Sequence, residues 1–310
     1  MVDAYTLIES GPAYTPLRFG LFSAASLPAS SERWRMGIQR VQPPCLAASS
    51  LVALPCTGAP VTGAPSDDTV ISQVSTVFRV YSWLPCAVPG WGNDLSDLRN
   101  RTQLMLTNGE ARAVEAVFWT GETSDGGGPI YPHLQANADV FATAQGAHQV
   151  RLQQAADTLT SAPVDAVEAI MEIEAALADC YGGEGVIHVP RRALAQLDRF
   201  AVVRQAGQQL CTLGGNVVAA YSPLAAGGPP SGAAPSGTGS PQWFYGTGPV
   251  EVFRGPIQDY NVQPADFIGS DDNSTVYVVG RDYTITYDCC LVAAEAVLGG
   301  EVAGVAGAAT

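Results

Sequence analysis

Lysine is missing from this chain: the fifteen basic residues are all arginine, set against twenty-nine aspartates and glutamates. The absence removes whole chemistries. No Walker-A lysine reaches a nucleotide phosphate, no amine forms a Schiff base with pyridoxal phosphate or a carbonyl substrate, and no kinase-type lysine is present. Charge of either sign is scarce, at 14% of residues, where soluble domains average roughly 25%. The net charge of −14 argues against a broad basic face for groove or backbone binding of nucleic acid. Apolar runs of transmembrane length are absent. Residues 1–20 lack a basic stretch followed by an apolar one, so no signal peptide is expected.

Catalytic and metal-binding patterns are equally thin. The three histidines, His133, His148 and His188, share no metal-ligand spacing, and neither H-E-x-x-H nor G-x-S-x-G occurs. His188 lies in an apolar stretch, which suits a hydrogen-bonded structural imidazole. His133 follows Tyr131-Pro132 in a turn. Asp271-Asp272-Asn273 opens like a calcium loop but lacks its frame and distal glutamate, so it reads as a polar turn, as does Asp67-Asp68. Gly237-x-Gly239 and Gly246-x-Gly248 lack the third glycine of a dinucleotide fingerprint. Glu168, Glu172 and Glu174 read as a solvated or partner-facing side of a helix. The expected lists of catalytic, cofactor-binding and metal-ligating residues are therefore all empty, and no enzyme activity is expected. The seven cysteines, at 45, 56, 86, 180, 211, 289 and 290, are odd in number and irregular in spacing. Reduced, buried thiols in a cytosolic protein are the expectation.

What the sequence does contain is a mixture of helical and strand patterns, so the expected class is α+β. Residues 1–34 carry Pro12, Pro16 and Pro28 without a sustained period and read as an extended arm. Strand-like stretches at 36–41 and 69–83 flank a turn-rich segment and suggest a long two-stranded excursion. Residues 93–119 carry the best helical pattern of the N-terminal half. Leu95, Leu98, Thr102, Met105, Leu106, Ala113, Val117 and Phe118 recur at helical steps, while Glu110, Arg112 and Glu115 occupy other faces. Asn93 or Asp94 can cap this helix, Gly109 can bend it, and Thr120-Gly121 ends it. A second helix is expected over 163–180, with Val167, Ile170, Met171, Glu174 and Leu177 on one face. A strand at 185–190 and a short helix at 191–200 follow, then a strand within 212–220. Residues 221–241 are rich in proline and glycine. Strands are expected over 243–253, 275–279 and 281–287, the last two broken at Gly280-Arg281.

Two stretches carry a family resemblance. One is Asp179-Cys180-Tyr181-Gly182-Gly183-Glu184-Gly185-Val186-Ile187-His188-Val189-Pro190-Arg191. The other is Trp243-Phe244-Tyr245-Gly246-Thr247-Gly248-Pro249-Val250-Glu251-Val252, followed by Val276-Tyr277-Val278-Val279 and Tyr283-Thr284-Ile285-Thr286-Tyr287-Asp288-Cys289. In pattern and order, over about 93–290, the chain resembles head proteins of tailed phages that infect actinobacteria, notably major capsid proteins of the Hong Kong 97-type fold. The resemblance implies a division into an N-terminal arm (1–34), an extended loop lying over an adjacent subunit (35–92) and a peripheral domain with a long spine helix (93–162). It further implies an axial domain meeting its copies around five- and six-fold axes (163–241), then return strands and a tail (242–310).

The implied function is self-assembly into an icosahedral head shell enclosing double-stranded DNA without sequence-specific binding. The implied partners are many copies of the chain, as pentamers and hexamers, with decoration, scaffolding and portal proteins as further candidates and no membrane. The implied location is the virion, assembled in the host bacterial cytoplasm. The lysine–asparagine crosslink of some relatives is closed to a chain without lysine, and the family's N-terminal scaffolding segment is not expected. Low surface charge fits a subunit covered by other subunits, and biased codon usage explains the same composition. An encapsulin-like shell, another virion component such as a tail tube or decoration protein, and a soluble hydrolase with an unrecognised site stand as alternatives.

Overall fold

The computed structural model describes residues 18–28, 32–42, 71–86, 95–145, 148–180, 182–221, 241–260, 275–288 and 290–298. In chain order the first elements are α1 (Leu21–Ala24), β1 (Ile38–Gln42), β2 (Ile71–Ser75), β3 (Val77–Cys86), α2 (Leu95–Thr120), β4 (Val140–Gln145) and β5 (His148–Gln153). There follow β6 (Asp157–Thr158), β7 (Val164–Asp165), α3 (Ala166–Cys180), β8 (Val186–Pro190), α4 (Leu194–Arg199), β9 (Val203–Ala206), β10 (Gln209–Thr212) and β11 (Val217–Tyr221). The last are β12 (Pro241–Thr247), β13 (Val250–Arg254), β14 (Gln258–Tyr260), β15 (Thr275–Tyr287) and β16 (Val292–Val297). The class is α+β, as expected.

Among the described residues the strands form three sheets. The largest has the order β6-β16-β12-β8-β11-β10-β9, with β7 also pairing with β16. Its alternating side chains build two separate cores. Ile187, Val189, Val218, Ala220, Phe244, Val292 and Ala294 face α3, where Ala166, Ala169, Ile170, Ile173 and Leu177 lie buried. Val186, Ala219, Tyr221, Tyr245, Leu291 and Ala293 face the other way, toward Phe118 and Trp119 at the end of α2. This period-two division is what a strand buried on both faces requires. Trp119 packs edge-on against Tyr245 and Tyr221, with ring centroids 5.0 and 5.2 Å apart.

A second sheet joins β13 and β14 to one side of β15 and β3 to the other. Phe78, Val80, Val250, Val252, Val279, Tyr283, Ile285 and Tyr287 point from it into the same core as α2. The 26-residue α2, about 39 Å long at 1.5 Å per residue, thus bridges two sheets. Its middle packs on β3 and β15, and its end lies on β11 of the large sheet. The third sheet has the order β1-β2-β5-β4.

Several sequence expectations change. The strand expected over 69–83 is two strands, broken at Thr76. Only β2 pairs with β1, through Ile38↔Ser75, and β3 belongs to the sheet under α2. The break has a local cause: the Thr76 hydroxyl and amide both bond to the Tyr131 carbonyl, at 2.8 and 2.7 Å. The strands expected over 275–279 and 281–287 are one 13-residue strand. Gly280 continues the ladder opposite Tyr81 because a Cβ there would lie 2.9 Å from the Tyr260 ring. The strand expected within 212–220 is a β9-β10-β11 meander. The β4–β5 pair has no counterpart in the sequence reading. Gly109 does not interrupt α2, whereas Gly121 ends it with φ +75°.

The α3 face also differs: Ile173 is buried and Met171 is 62% exposed. Asp165 caps α3, its Oδ1 accepting from the Val167 and Glu168 amides at 2.8 and 2.9 Å. Among the described residues, the expectation of free thiols is overturned at one pair. Cys180 and Cys290 form a disulfide across 110 residues, with Cα atoms 6.2 Å apart. Spacing could not reveal it, because the partners are brought together by α3 lying on the large sheet. Cys211 is a free thiol. The expected caps Asn93 and Asp94, the acidic turns at 67–68 and 271–272 and most of the arm, loop and tail fall outside the described residues.

Candidate functional site

Several polar side chains of the interior gather into clusters, and the geometry of each cluster decides what it can do. Glu110, on α2, is 4% exposed. Its carboxylate accepts from Arg281 Nη1 at 2.9 Å and from the Tyr283 hydroxyl at 2.5 Å, and Arg254 closes the cluster. Two strands, β13 and β15, are thereby tied to one helix position. The helical period placed Glu110 and Glu115 on faces other than the apolar one, but both are buried. Glu115 Oε1 accepts from the Leu21 amide at 3.1 Å, at the start of α1. Gly20 makes this approach possible, since a Cβ there would collide with the same oxygen. Residues 18–28 are anchored on the rest of the chain. Leu21 is fully buried, the Ala220 amide bonds to the Phe19 carbonyl at 2.6 Å, and Ser26 bridges to Glu251.

Asp282, itself buried, anchors a second ionic cluster on the opposite face of the same sheet. It pairs with Arg79 Nε at 2.7 Å and with Arg35 Nε at 3.7 Å. The Arg79 guanidinium also lies 4.3 Å from the Tyr260 ring centroid. On α3, Glu168 and Glu172 are exposed as expected, but Glu174 is not a solvated side chain. It accepts from the Thr212 hydroxyl and from Asn216 Nδ2, the latter at 3.0 Å, and so fastens the β10–β11 turn.

His188 is fully buried between Tyr221 and Thr247. The Thr247 hydroxyl donates to the Gly248 carbonyl at 2.8 Å, so it accepts from His188 Nε2–H at 2.9 Å. Nδ1 then accepts from the Tyr221 hydroxyl at 2.8 Å. Burial lowers the imidazole to about 3 and raises the Tyr221 phenol well above its usual value. The group is a neutral structural imidazole, as the sequence indicated, with no access for a substrate. His133 is lowered to about 4 by burial, and its ring stacks on Tyr131 at 5.9 Å. His148 lies on β5. Among the described residues no group of three or more His, Cys, Asp or Glu side chains could hold a metal ion, and no helix is long and apolar enough to cross a membrane.

The surface offers the more informative feature. On β3, Phe78 and Val80 point inward while Arg79, Tyr81 and Trp83 point out. Tyr81 and Trp83 are 47% and 53% exposed, standing opposite Gly280 and Val278 of β15. Leu104 and Met105 are similarly exposed on α2. The helical period at 93–119 assigned Met105 to the core, but Thr102, Leu106, Glu110 and Val114 form the buried line instead.

No family model and no curated protein sequence matches the chain. Its fold does match solved structures. One titled "Capsid of native GTA particle computed with C5 symmetry" aligns over 95% of this chain and 96% of its own, at a TM-score of 0.55 and 11% identity. The corresponding empty GTA capsid aligns over the same shares at a TM-score of 0.52 and 12% identity. A structure from Mycobacterium phage Ogopogo aligns more loosely, over 94% of this chain and 96% of its own, at a TM-score of 0.46 and 11% identity. The chain therefore has the fold of the GTA capsid subunit along nearly its whole length.

Proposed function

We infer that this protein is a structural capsid subunit that assembles with copies of itself into a closed shell. The observation that carries the reading is the fold match to the native GTA capsid, which spans 95% of one chain and 96% of the other. Exposed Tyr81, Trp83, Leu104 and Met105, with only 14% charged residues overall, support a surface that copies of the chain cover.

The finer reading is a Hong Kong 97-type subunit of a tailed phage. Helix α2 acts as the spine of the peripheral domain, and the strands from β12 onward return to it. The 163–241 region acts as the axial domain around five- and six-fold axes, and the arm and the 35–92 loop reach neighbouring subunits except at residues 18–28 and at β3, which pack within their own chain. Pentamers and hexamers enclose double-stranded DNA, with decoration, scaffolding and portal proteins as candidate partners, in a virion assembled in the host cytoplasm. A shell with net negative subunits repels packaged DNA and avoids binding it tightly, which suits packaging.

Expression of the full chain followed by electron microscopy and analytical ultracentrifugation tests the reading. The expected result is closed particles of uniform diameter sedimenting far ahead of a 32.2 kDa monomer. A protein that stays monomeric across salt, pH and concentration, with turnover on ester or glycoside substrates, would overturn it.

A further inference from the structure

Cys180 is the last residue of α3, and Cys290 lies in the 288–291 passage from β15 to β16. In that passage the chain leaves one sheet and enters another. The passage is held at both ends: the Asp288 amide donates to the Pro249 carbonyl, and the Leu291 carbonyl accepts from the Asp157 amide, each at 3.0 Å. Cys290 itself adopts φ +49°, a left-handed conformation that a non-glycine residue keeps only when its surroundings hold it there. The Cα separation of 6.2 Å lies within the span of a disulfide, so closing or opening the bond needs no large backbone movement. Helix α3 does not depend on the bond for its place, because five apolar side chains, from Ala166 to Leu177, are buried against the large sheet.

We propose that Cys180 and Cys290 form a redox-responsive staple. The pair stands open as two thiols in reducing surroundings. It closes by exchange with a low-molecular-weight disulfide such as glutathione disulfide, and then clamps the end of α3 onto the junction between the two sheets. Cys290 is 1% exposed whereas Cys180 is only partly buried, so the small disulfide meets Cys180 first. The Cys180 thiolate attacks one sulfur, releasing one glutathione and leaving a mixed disulfide. The Cys290 thiolate then displaces the second glutathione. Two S–H bonds are replaced by one S–S bond, and two protons and two electrons leave on two glutathione thiols. Reduction by a thiol runs the same steps in reverse. The staple stands apart from the capsid reading, which supplies only its setting: subunits made in a reducing cytoplasm and carried outside it in a particle.

The test uses the full-length protein equilibrated in reduced or in oxidised glutathione. Peptide mapping without reductant is expected to join the Cys180 peptide to the Cys290 peptide in the oxidised sample alone. Fragmentation between Cys289 and Cys290 assigns the sulfur, and Cys211 serves as an alkylation control. Hydrogen exchange is expected to slow across 177–185 and 287–293 on oxidation while α2 is unchanged. The unfolding midpoint is expected to rise by about 5–10 °C. Cys180→Ser is expected to abolish all three differences; if that variant does not fold, the two wild-type samples still decide the matter. Free thiols at both positions under oxidising conditions, a bond to Cys289 instead, or identical exchange in the two samples would overturn the proposal. Particle formation is scored separately, so a failure to assemble and a failure to staple are distinct results.

Discussion

Glu110 is one carboxylate neutralising two arginines and accepting from a phenol, in a place where water cannot substitute. Removing it leaves Arg281, whose side chain is 12% exposed, as an uncompensated charge. Glu110→Ala is expected to destabilise the subunit by about 3–5 kcal/mol in chemical denaturation, and a loss below about 1 kcal/mol would show that the cluster is not coupled. His188 acts on stability through pH. Its folded value near 3 lies below the unfolded value of 6.5, so the unfolded chain binds the extra proton between those two values. Stability is full above about pH 6.5 and declines as pH falls toward 3, by up to about 1.4 kcal/mol per pH unit. His133, lowered to about 4 by burial, adds to the slope in the upper part of that window. His188→Gln is expected to flatten the acid limb of a stability–pH curve; an unchanged slope would assign the acid sensitivity to other groups.

The packing of α3 on the large sheet turns on one backbone position. Gly246 lies in β12, paired with Ile187 and Val292. A Cβ there would lie 2.5 Å from Ile173 Cγ2 and 2.9 Å from Val292 Cγ2. Neither atom is the free end of a flexible side chain, so the helix must move outward. Gly246→Ala is expected to cost about 1–3 kcal/mol as overpacking, with increased hydrogen exchange concentrated in α3. Read as sequence, Gly246-x-Gly248 is an incomplete dinucleotide fingerprint. In the structure Gly246 continues the ladder, and its purpose is closeness to a helix that precedes it by dozens of residues.

Assembly belongs to the largest scale. The outward face of β3 carries Tyr81 and Trp83 at about half exposure, while the inward face of the same strand holds Phe78 and Val80 in the core. Exposed aromatic substitutions away from the core change monomer stability by less than about 0.5 kcal/mol. Tyr81→Ser combined with Trp83→Ser is therefore expected to leave the unfolding midpoint unchanged and to lower the yield of particles at least several-fold by sedimentation. Particles at wild-type yield would exclude this ridge from the subunit contacts.

Much of the architecture was legible in the residues alone. Periodicity placed α2 and α3 to within a few residues, the strand pattern over 281–287 marked the C-terminal half of β15, and His188 in an apolar run was a structural imidazole. The absence of lysine excluded its chemistries without any structure. These are local or compositional properties, set by spacing along the chain. The remainder depended on distant segments meeting. Glu110 and Glu115 look solvated until Arg281, Tyr283 and Leu21 arrive from other elements. The stretch 69–83 divides because Thr76 meets the Tyr131 backbone. Cys180 and Cys290 pair because α3 lies across the strands that follow it in the chain. Periodicity reports which side of an element is buried, but partners of a buried charge or a thiol are chosen by the packing of elements, and only the tertiary structure decides that.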